Sequence, residues 1–433
     1  MPVLAVAAIV FALSALGLAL LVEPVPTWYY HLAWWSYIVA ADDLNRRRSG
    51  RSLLRDRPAH FAWLAGVSVL WWTLFELVNL RLGNWYYVMS LPSTALRWAA
   101  GVIAFASVLP GIVETLELVE NLGLLRSVPV RPLAWSPAKE RIVIALGAAS
   151  LLLPLAWPDT FFPLTWGSLV FLLEPWNRRH ARRSFLRDLE AGEAGPLCRT
   201  LVAGLTCGAL WEAWNFWART KWTYTVPGFE GLKVFEMPLA GFLGFPPFAV
   251  ESVVLLRWLG GWRDRLRPSR VRAARMAALV IGPAAVLAMF AAVDPVVVDS
   301  VYVPLARLDV VPAVVRSRLR AAGIDSPDQL LRATARASDR ADWAARTALP
   351  LEELEEARAR VELMTHRGLG LGRMHDLDAL GIHTLDDLAK WSADELAAAL
   401  AGRRPHDPRN RFLARRARVW TSGLGEARTA GAR

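Results

Sequence analysis

The chain has 433 residues, of which 54% are hydrophobic, and it carries 21 tryptophans and a formal net charge of +11. Soluble domains rarely combine so large an apolar fraction with so many tryptophans, which favour the bilayer interface. The positive charge does not by itself indicate a nucleic-acid binder, because most arginines lie in short loops beside apolar stretches, as in membrane proteins with basic cytoplasmic loops. The two cysteines, Cys198 and Cys207, form neither a disulfide framework nor a metal-ligand spacing, so we predict no metal and no cofactor.

The first apolar stretch, at 3–22, follows no Lys or Arg and has no clear small-residue cleavage site. A cleaved signal peptide is one interpretation of this stretch. We favour a retained helix, because a similar stretch at 141–157 precedes the second of two related basic loops.

Those two loops read NRRRSGRSLLRD at 45–56 and NRRHARRSFLRD at 177–188. The agreement continues along the chain at residues of unusual type, in the pairs Ser36/Ser168, Glu76/Glu212, Asn79/Asn215, Trp85/Trp222, Tyr87/Tyr224, Pro110/Pro247 and Glu114/Glu251. Self-similarity at so many special residues predicts an internal duplication. The first repeat then covers 1–134 and the second repeat covers 135–270.

Each repeat contains four apolar stretches, and a ninth lies in the segment 271–298; the stretches are 3–22, 26–42, 61–80, 95–118, 141–157, 160–175, 198–218, 234–257 and 273–293. The second stretch of each repeat is short for a membrane span, which needs about 20 residues. If this second stretch nevertheless crosses the membrane in both repeats, all the basic loops lie on the same side of the membrane. We therefore predict an all-α, polytopic membrane bundle of about nine spans, built from two parallel four-helix repeats. The basic side is then the cytoplasmic face of the cell (inner) membrane, with a cytoplasmic N-terminus and, by parity, an extracytoplasmic C-terminal domain.

Polar residues inside these stretches indicate a site, because charged groups in a bilayer are costly unless they face the protein interior or water. Each repeat places a carboxylate and an amide three residues apart, on one helix face, and follows them with a Trp-x-Tyr pattern. We predict that the substrate-binding residues include Glu76, Asn79, Trp85, Tyr87, Asn215, Trp222 and Tyr224. The structural alternatives are hydrogen bonds between helices for the Glu/Asn pairs and interfacial anchoring for the aromatic residues.

The fourth stretch of each repeat contains helix breakers, Pro110-Gly111 in the first repeat and Pro246-Pro247 in the second. Glu114 and Glu251 then fall near the start of a new half-helix, where the helix dipole favours a carboxylate. A kink with a capping glutamate is the structural alternative. The second repeat also has an extra carboxylate, and we therefore predict that it is the catalytic one, with Glu114 as a binding group and with the catalytic residues Glu212, Glu236 and Glu251.

The order of an acidic helix residue, a Trp-x-Tyr pattern and a proline followed by glutamate resembles the repeated membrane modules of lycopene cyclases and related carotenoid enzymes. The resemblance covers scattered residues in part of each repeat. It implies acid chemistry on an isoprenoid-like molecule, because acidic residues in that family are thought to protonate a polyene. The family's paired acidic tract after the proline is missing here, since Glu114 and Glu251 stand alone.

From about 305 the apolar stretches give way to Ala-, Arg-, Leu- and Glu-rich helical patterns. Gly368-Leu369-Gly370 predicts a hairpin turn, and Gly381-Ile382 precedes a helix with Thr384 as its N-cap. Gly323-Ile324 and Ser326 repeat that spacing. The region 305–402, the C-terminal module, thus resembles an uncharacterised bacterial family of tandem helix-hairpin-helix domains.

In DNA-binding members of the wider superfamily, hairpin amides grip phosphates, which implies a phosphate-binding role for Gly368, Leu369 and Gly370. The corresponding position of the first hairpin holds Pro312, which has no N–H to donate. Seven arginines follow between 403 and 418, so we predict a basic, disordered tail at 403–433. Such a tail contacts phosphates or anionic lipids, or is simply solvated.

The sequence contains no Ser/His/Asp set, phosphate loop, dinucleotide fingerprint or zinc spacing, so whether the protein is an enzyme stays open. We favour a membrane protein that binds or converts an apolar or amphiphilic, lipid- or isoprenoid-like small molecule at the duplicated site. The first alternative is a membrane anchor or scaffold that presents the C-terminal module to a protein or nucleic acid. The second is a transporter, suggested by the parallel repeats and broken helices.

Overall fold

The computed structural model describes residues 3–89, 91, 93–226, 232–301 and 303–424, which are mostly helical. The first repeat consists of α1 (Val3–Ala19), α2 (Val25–Ser49), α3 (Leu53–Asp56), α4 (Pro58–Leu82), β1 (Trp85–Met89), α5 (Thr94–Phe105) and α6 (Val108–Asn121). Prolines at the starts of α2 and α4 suit the first helical turn, and left-handed glycines close both helices.

The second repeat follows the same order, with α7 (Pro137–Ala156), α8 (Pro158–Phe161), α9 (Ser168–His180), α10 (Phe185–Glu190), α11 (Gly195–Trp217), β2 (Lys221–Tyr224), β3 (Lys233–Val234), β4 (Met237–Pro238) and α12 (Phe245–Arg265). Packing repeats as well: α7 lies on α9 as α1 lies on α2, and α11 lies on α12 as α4 lies on α6. The order and packing of the helices therefore both agree with an internal duplication.

The repeated basic loop builds the same local structure twice. Ser52 caps α3 and donates its hydroxyl hydrogen to Asp42 (2.6 Å). In the second repeat, Ser184 caps α10 and donates to Glu174 (2.8 Å). Both acceptors are buried, so the loop is fixed to the preceding helix in each repeat.

The fourth apolar stretch is interrupted in both repeats. In the first, α5 ends at Phe105 and α6 begins at Val108; in the second, a 3-10 turn at Leu239–Gly244 precedes α12. The prolines of each repeat lie in the first turn of the new helix, where no backbone amide is lost. Glu114 and Glu251 are each the seventh residue of their helix, one turn further in than expected.

A three-stranded sheet joins the repeats at one end of the bundle. Strand β1 pairs antiparallel with β2 and parallel with β5 (Val298–Val301), which follows α13 (Pro268–Val297). The Trp-x-Tyr residues of both repeats thus lie in paired strands.

Within the described part of the chain, four helical segments are long and apolar enough to cross a membrane: Pro58–Leu82, Thr94–Asn121, Leu239–Arg265 and Pro268–Val297. Helix α1 is apolar but shorter. Large apolar side chains point outward from α13, where Leu279, Val280 and Ile281 are 64–70% exposed. An outer surface of this kind is expected where lipid replaces water.

The C-terminal module contains α14 (Ala313–Ala321), α15 (Pro327–Ala333), α16 (Ala337–Thr347), α17 (Leu351–Thr365), α18 (Leu371–Asp378), α19 (Leu385–Leu388), α20 (Ala393–Arg403) and α21 (Leu413–Thr421). The predicted N-caps are confirmed, because Ser326 and Thr384 each form a capping box at the start of their helix. Gly323 and Gly381 take the left-handed conformation just before these caps.

Residues 403–424 are not the disordered tail predicted from the sequence. Leu413, Ala417 and Trp420 are buried in the core of the C-terminal module, which therefore extends to 424. The arginine-rich composition hid an apolar stripe with helical spacing. The rest of the predicted tail, 425–433, lies outside the described residues.

The C-terminal module is fixed to the sheet end of the bundle. Tyr86 of β1 donates its hydroxyl hydrogen to the carbonyl of Arg367 (2.5 Å) and accepts a hydrogen bond from Trp420 Nε1 (3.2 Å). The guanidinium of Arg416 lies 4.9 Å from the centre of the Tyr86 ring. At Gly83 an added Cβ would lie 2.4 Å from the Phe412 ring, so the two units are in close contact.

Candidate functional site: an aromatic cavity between the repeats

A cavity of about 390 Å³ lies between the two repeats, beneath the sheet and beside α13. Its volume is within the range of small-molecule sites. The lining is dominated by aromatic side chains, which are Tyr30, Trp72, Trp85, Tyr87, Trp98, Phe105, Phe162, Trp166, Trp211, Trp222, Tyr224, Phe245, Phe248 and Phe290. Both repeats contribute, so the cavity is a product of the duplication.

Glu76 is the carboxylate that the first repeat supplies to this cavity. It is fully buried, and its Oε1 accepts three hydrogen bonds, from Trp72 Nε1 (2.8 Å), Trp85 Nε1 (3.2 Å) and the Tyr87 hydroxyl (2.5 Å). Its Oε2 is also buried and has no hydrogen-bond partner among the described residues. A buried polar atom without a partner is costly, which makes Oε2 a candidate contact for a ligand.

The equivalent Glu212 is also fully buried but does not line the cavity. Its Oε1 accepts one hydrogen bond, from the Tyr224 hydroxyl (2.8 Å), and its Oε2 has no partner in the described part of the chain. Gly208 stands where the first repeat has Trp72, so one donor is missing. The two glutamates are equivalent in sequence, but their surroundings differ.

The side chains of Asn79 and Asn215 form hydrogen bonds with the backbone. The side-chain amide of Asn79 donates to the carbonyl of Trp85 (2.9 Å), and its oxygen accepts from the amide of Asn84 (2.8 Å). Asn215 holds Trp222 in the same way, through both its amide and its carbonyl (2.9 Å each). Each asparagine therefore fixes the start of the strand that carries the Trp-x-Tyr residues.

Glu114 and Glu251 lie away from the cavity lining. Glu251 caps α9, accepting from the amides of Gly167 (3.1 Å) and Leu169 (2.8 Å). Glu114 accepts instead from the side chain of Asn45 (2.9 Å). The difference arises because α2 is continuous where the second repeat breaks before α9, so the first repeat has no free amides at that point.

The remaining predicted carboxylate, Glu236, forms an ion pair with Lys221, which lines the cavity (Nζ–Oε1 2.6 Å). Thus none of the three second-repeat carboxylates, Glu212, Glu236 and Glu251, belongs to the lining. The second repeat has one more acid than the first, which is why the sequence favours it as the catalytic half. In the structure that extra acid, Glu236, is paired with a lysine of β2.

Sequence reasoning missed a second ion pair in the lining, between Arg97 of α5 and Asp294 of α13 (2.8 and 3.2 Å). Both side chains lie in or beside apolar stretches, which was a signal of a functional or structural role. The pairing itself joins segments far apart in the chain. No group of His, Cys, Asp and Glu suited to a metal occurs among the described residues.

Residues 311–419 match the family described as a domain of unknown function (DUF4332). The match covers most of the C-terminal module and none of the two repeats. No curated protein and no solved structure matches the chain.

Within the DUF4332 region, the predicted phosphate-binding turn is turned inward. Gly368, Leu369 and Gly370 are all buried. The amides of Leu369 and Gly370 donate to the carbonyls of His366 (3.0 Å) and Met364 (2.8 Å). These two amides are therefore already used inside the module, next to the contact with Tyr86.

Proposed function

We propose that the protein is a multi-pass membrane protein that binds an apolar or amphiphilic small molecule in the cavity between its repeats. The observation that carries the proposal is the buried, aromatic-lined cavity with a carboxylate oxygen of Glu76 left without a partner among the described residues. Apolar walls with a few polar groups are the usual composition of a small-molecule site. A lipid- or isoprenoid-like molecule fits that composition.

Access from the lipid phase supports the same proposal. Leu243, in the 3-10 turn before α12, lines the cavity and is 76% exposed. It belongs to one of the membrane-length segments, Leu239–Arg265. The cavity thus reaches the apolar outer surface, and a hydrophobic ligand would enter sideways from the bilayer.

The proposed orientation has the basic loops in the cytoplasm and about nine spans. Contacts that join these loops at one end of the bundle support it: Asn121 to Asn45 (3.0 Å), Ser127 to Glu193 (2.6 Å) and Arg182 to Asp264 (2.7 Å). The sheet and the C-terminal module lie at the other end, because α4 runs from the basic loop at Arg57 to Leu82, which Arg415 contacts.

A cavity-filling variant tests the proposed function. Ala104 lines the cavity, whereas Val102 of the same helix points outward and is 38% exposed. We expect lipid extracts of the purified wild type and of Val102→Phe to contain a co-purifying small molecule, identified by mass spectrometry, that Ala104→Phe lacks. Size-exclusion chromatography verifies that both variants are folded. Identical extracts from all three proteins would overturn the proposal.

The second candidate function is a membrane scaffold for the C-terminal module, which we propose to be a tandem helix-hairpin-helix domain. Its support is the pair of matching segments in which Ser326 and Thr384 each form a capping box at the start of the next helix. The buried turn at 368–370 favours a protein partner over a nucleic acid, since the amides of Leu369 and Gly370 are occupied. A pull-down with the full chain in detergent, with and without DNA competitor, separates the two partners.

A further inference from the structure

The charges in and beside the cavity lining do not cancel. Among the described residues, the lining contains the acids Glu76 and Asp294 and the cations Arg97 and Lys221. Arg97 pairs with Asp294 and Lys221 pairs with Glu236, so each lining cation has a carboxylate partner. The hydrogen-bond partners of Glu76 are all neutral donors. With Glu236 counted, three carboxylates (Glu76, Asp294 and Glu236) stand against two cations (Arg97 and Lys221), so an ionised Glu76 leaves the site with one excess negative charge.

Aromatic rings surround this carboxylate. The rings of Trp72 and Trp85 lie 6.1 Å apart, and Trp166 lies 6.4 Å from Trp85. Trp72, Trp85 and Tyr87 all donate to the same oxygen, Oε1, which holds them around the carboxylate. The faces of such rings carry negative electrostatic potential and attract cations.

We infer that the molecule bound in this cavity carries a positive charge, as a quaternary or protonated amine on an apolar chain, and that its cation lies beside Oε2 of Glu76 among these rings. This inference rests on the proposed function, because it names the class of ligand for the same cavity. The aromatic walls and the excess negative charge both favour such a group, and they do so independently.

The alternatives fit the lining less well. An anionic head group would face Glu76, while the two lining cations already have carboxylate partners. A neutral head group would leave an ionised Glu76 uncompensated in an apolar site, where charges are poorly screened. A cation on a long chain satisfies the carboxylate and fills the rest of the cavity.

Two probes of nearly equal shape test the charge. The purified full chain in dodecyl maltoside is titrated with decyltrimethylammonium or with uncharged decyldimethylphosphine oxide, and the signal of Ala104→Phe is subtracted as background. We expect the ammonium to bind wild type about tenfold more tightly, and Glu76→Gln to bring this ratio close to one. Glu212→Gln is the matched control and keeps the wild-type ratio, since Glu212 lies outside the lining.

Each outcome decides between the two proposals. Equal affinity of both probes for wild type, or an unchanged ratio in Glu76→Gln, overturns the cation inference and leaves the small-molecule site standing. If Glu212→Gln brings the affinity ratio of the two probes close to one, the cation inference is also overturned, because the charge that the ligand recognises then belongs to the second repeat. Binding of neither probe above the Ala104→Phe background defeats the inference and the proposed function together. Should Glu76→Gln fail to fold, Trp72→Leu is expected to weaken the binding of the ammonium by a several-fold larger factor than the binding of the phosphine oxide, and equal weakening of both probes overturns the cation inference.

Discussion

Tyr86 of β1 lies directly opposite Thr223 of β2, and the two residues hold the same position in their repeats. The flanking pairs mirror each other across this point, Trp85 with Tyr224 and Tyr87 with Trp222. A two-fold axis that passes between Tyr86 and Thr223 therefore relates the two strands. This pairing supports the proposed side-by-side arrangement of the repeats and explains why the cavity beneath the strands receives residues from both.

The same tyrosine holds the C-terminal module. In Tyr86→Phe the contacts of the hydroxyl with Arg367 and Trp420 are lost, so we expect the module to detach more often. Limited proteolysis in detergent should release the C-terminal fragment several-fold faster than in wild type. Tyr224→Phe is the control, because its hydroxyl contacts Glu212 inside the bundle. Equal cleavage rates in Tyr86→Phe and wild type would show that other contacts hold the module.

The asparagines of the repeats are expected to act through stability. Asn79→Ala and Asn215→Ala each remove at least two hydrogen bonds between a buried side chain and the backbone, which should lower the free energy of unfolding by about 1–3 kcal/mol. Thermal unfolding in detergent measures the loss, and both variants should lose similar amounts. A variant of Asn79 that unfolds like wild type yet loses ligand would instead make this residue a direct ligand contact.

Much of the repeat architecture was predictable, because a duplicated sequence records a duplicated structure. The matching loops at 45–56 and 177–188 fold alike, with Ser52 and Ser184 as caps. The helix breaks before Pro110 and Pro247 were predictable because proline has no N–H with which to continue a preceding helix. These features depend on neighbours a few residues away, so the local sequence is sufficient to predict them.

The cavity was not predictable in the same way. Its ion pair between Arg97 and Asp294 and its strand pairing of Tyr87 with Trp222 join positions far apart in the chain. Part of the difference between Glu76 and Glu212 comes from Trp72, which the second repeat replaces by glycine. The rest comes from Trp85, which donates to Glu76, whereas Glu212 accepts a hydrogen bond from Tyr224 but not from the equivalent Trp222.

Acid should weaken the C-terminal module through Asp407. Burial works to raise the pKa of this carboxyl, but hydrogen bonds from Arg409 and the nearby charge of Arg373 lower the pKa to about 2. Because the folded pKa lies below the ordinary value, the stabilisation is complete above about pH 4 and is lost as the pH falls through about 2. We expect the free energy of unfolding of wild type to fall by about 2 kcal/mol more than that of Asp407→Asn in this pH window.

Pulsed hydrogen exchange of α18 and α20 peptides, during urea unfolding of the full chain at pH 5 and pH 2, measures this difference. Asp325→Asn is the control, since that carboxylate is exposed and its loss should leave the acid sensitivity of wild type in place. If Asp407→Asn and wild type respond alike to acid, the ion pairs around Asp407 contribute little to the module.

Labelling of single cysteines, introduced in a background of Cys198→Ser and Cys207→Ala, tests the orientation of the protein in the membrane. His406 and Arg48 are both exposed and lie at opposite ends of the bundle, the first in the C-terminal module and the second in a basic loop. We expect an impermeant maleimide to label His406→Cys in intact spheroplasts and Arg48→Cys only after lysis. The reverse pattern would place the basic loops outside, against the charge rule. Labelling of both from one side would contradict the arrangement of helices that puts these two positions at opposite ends.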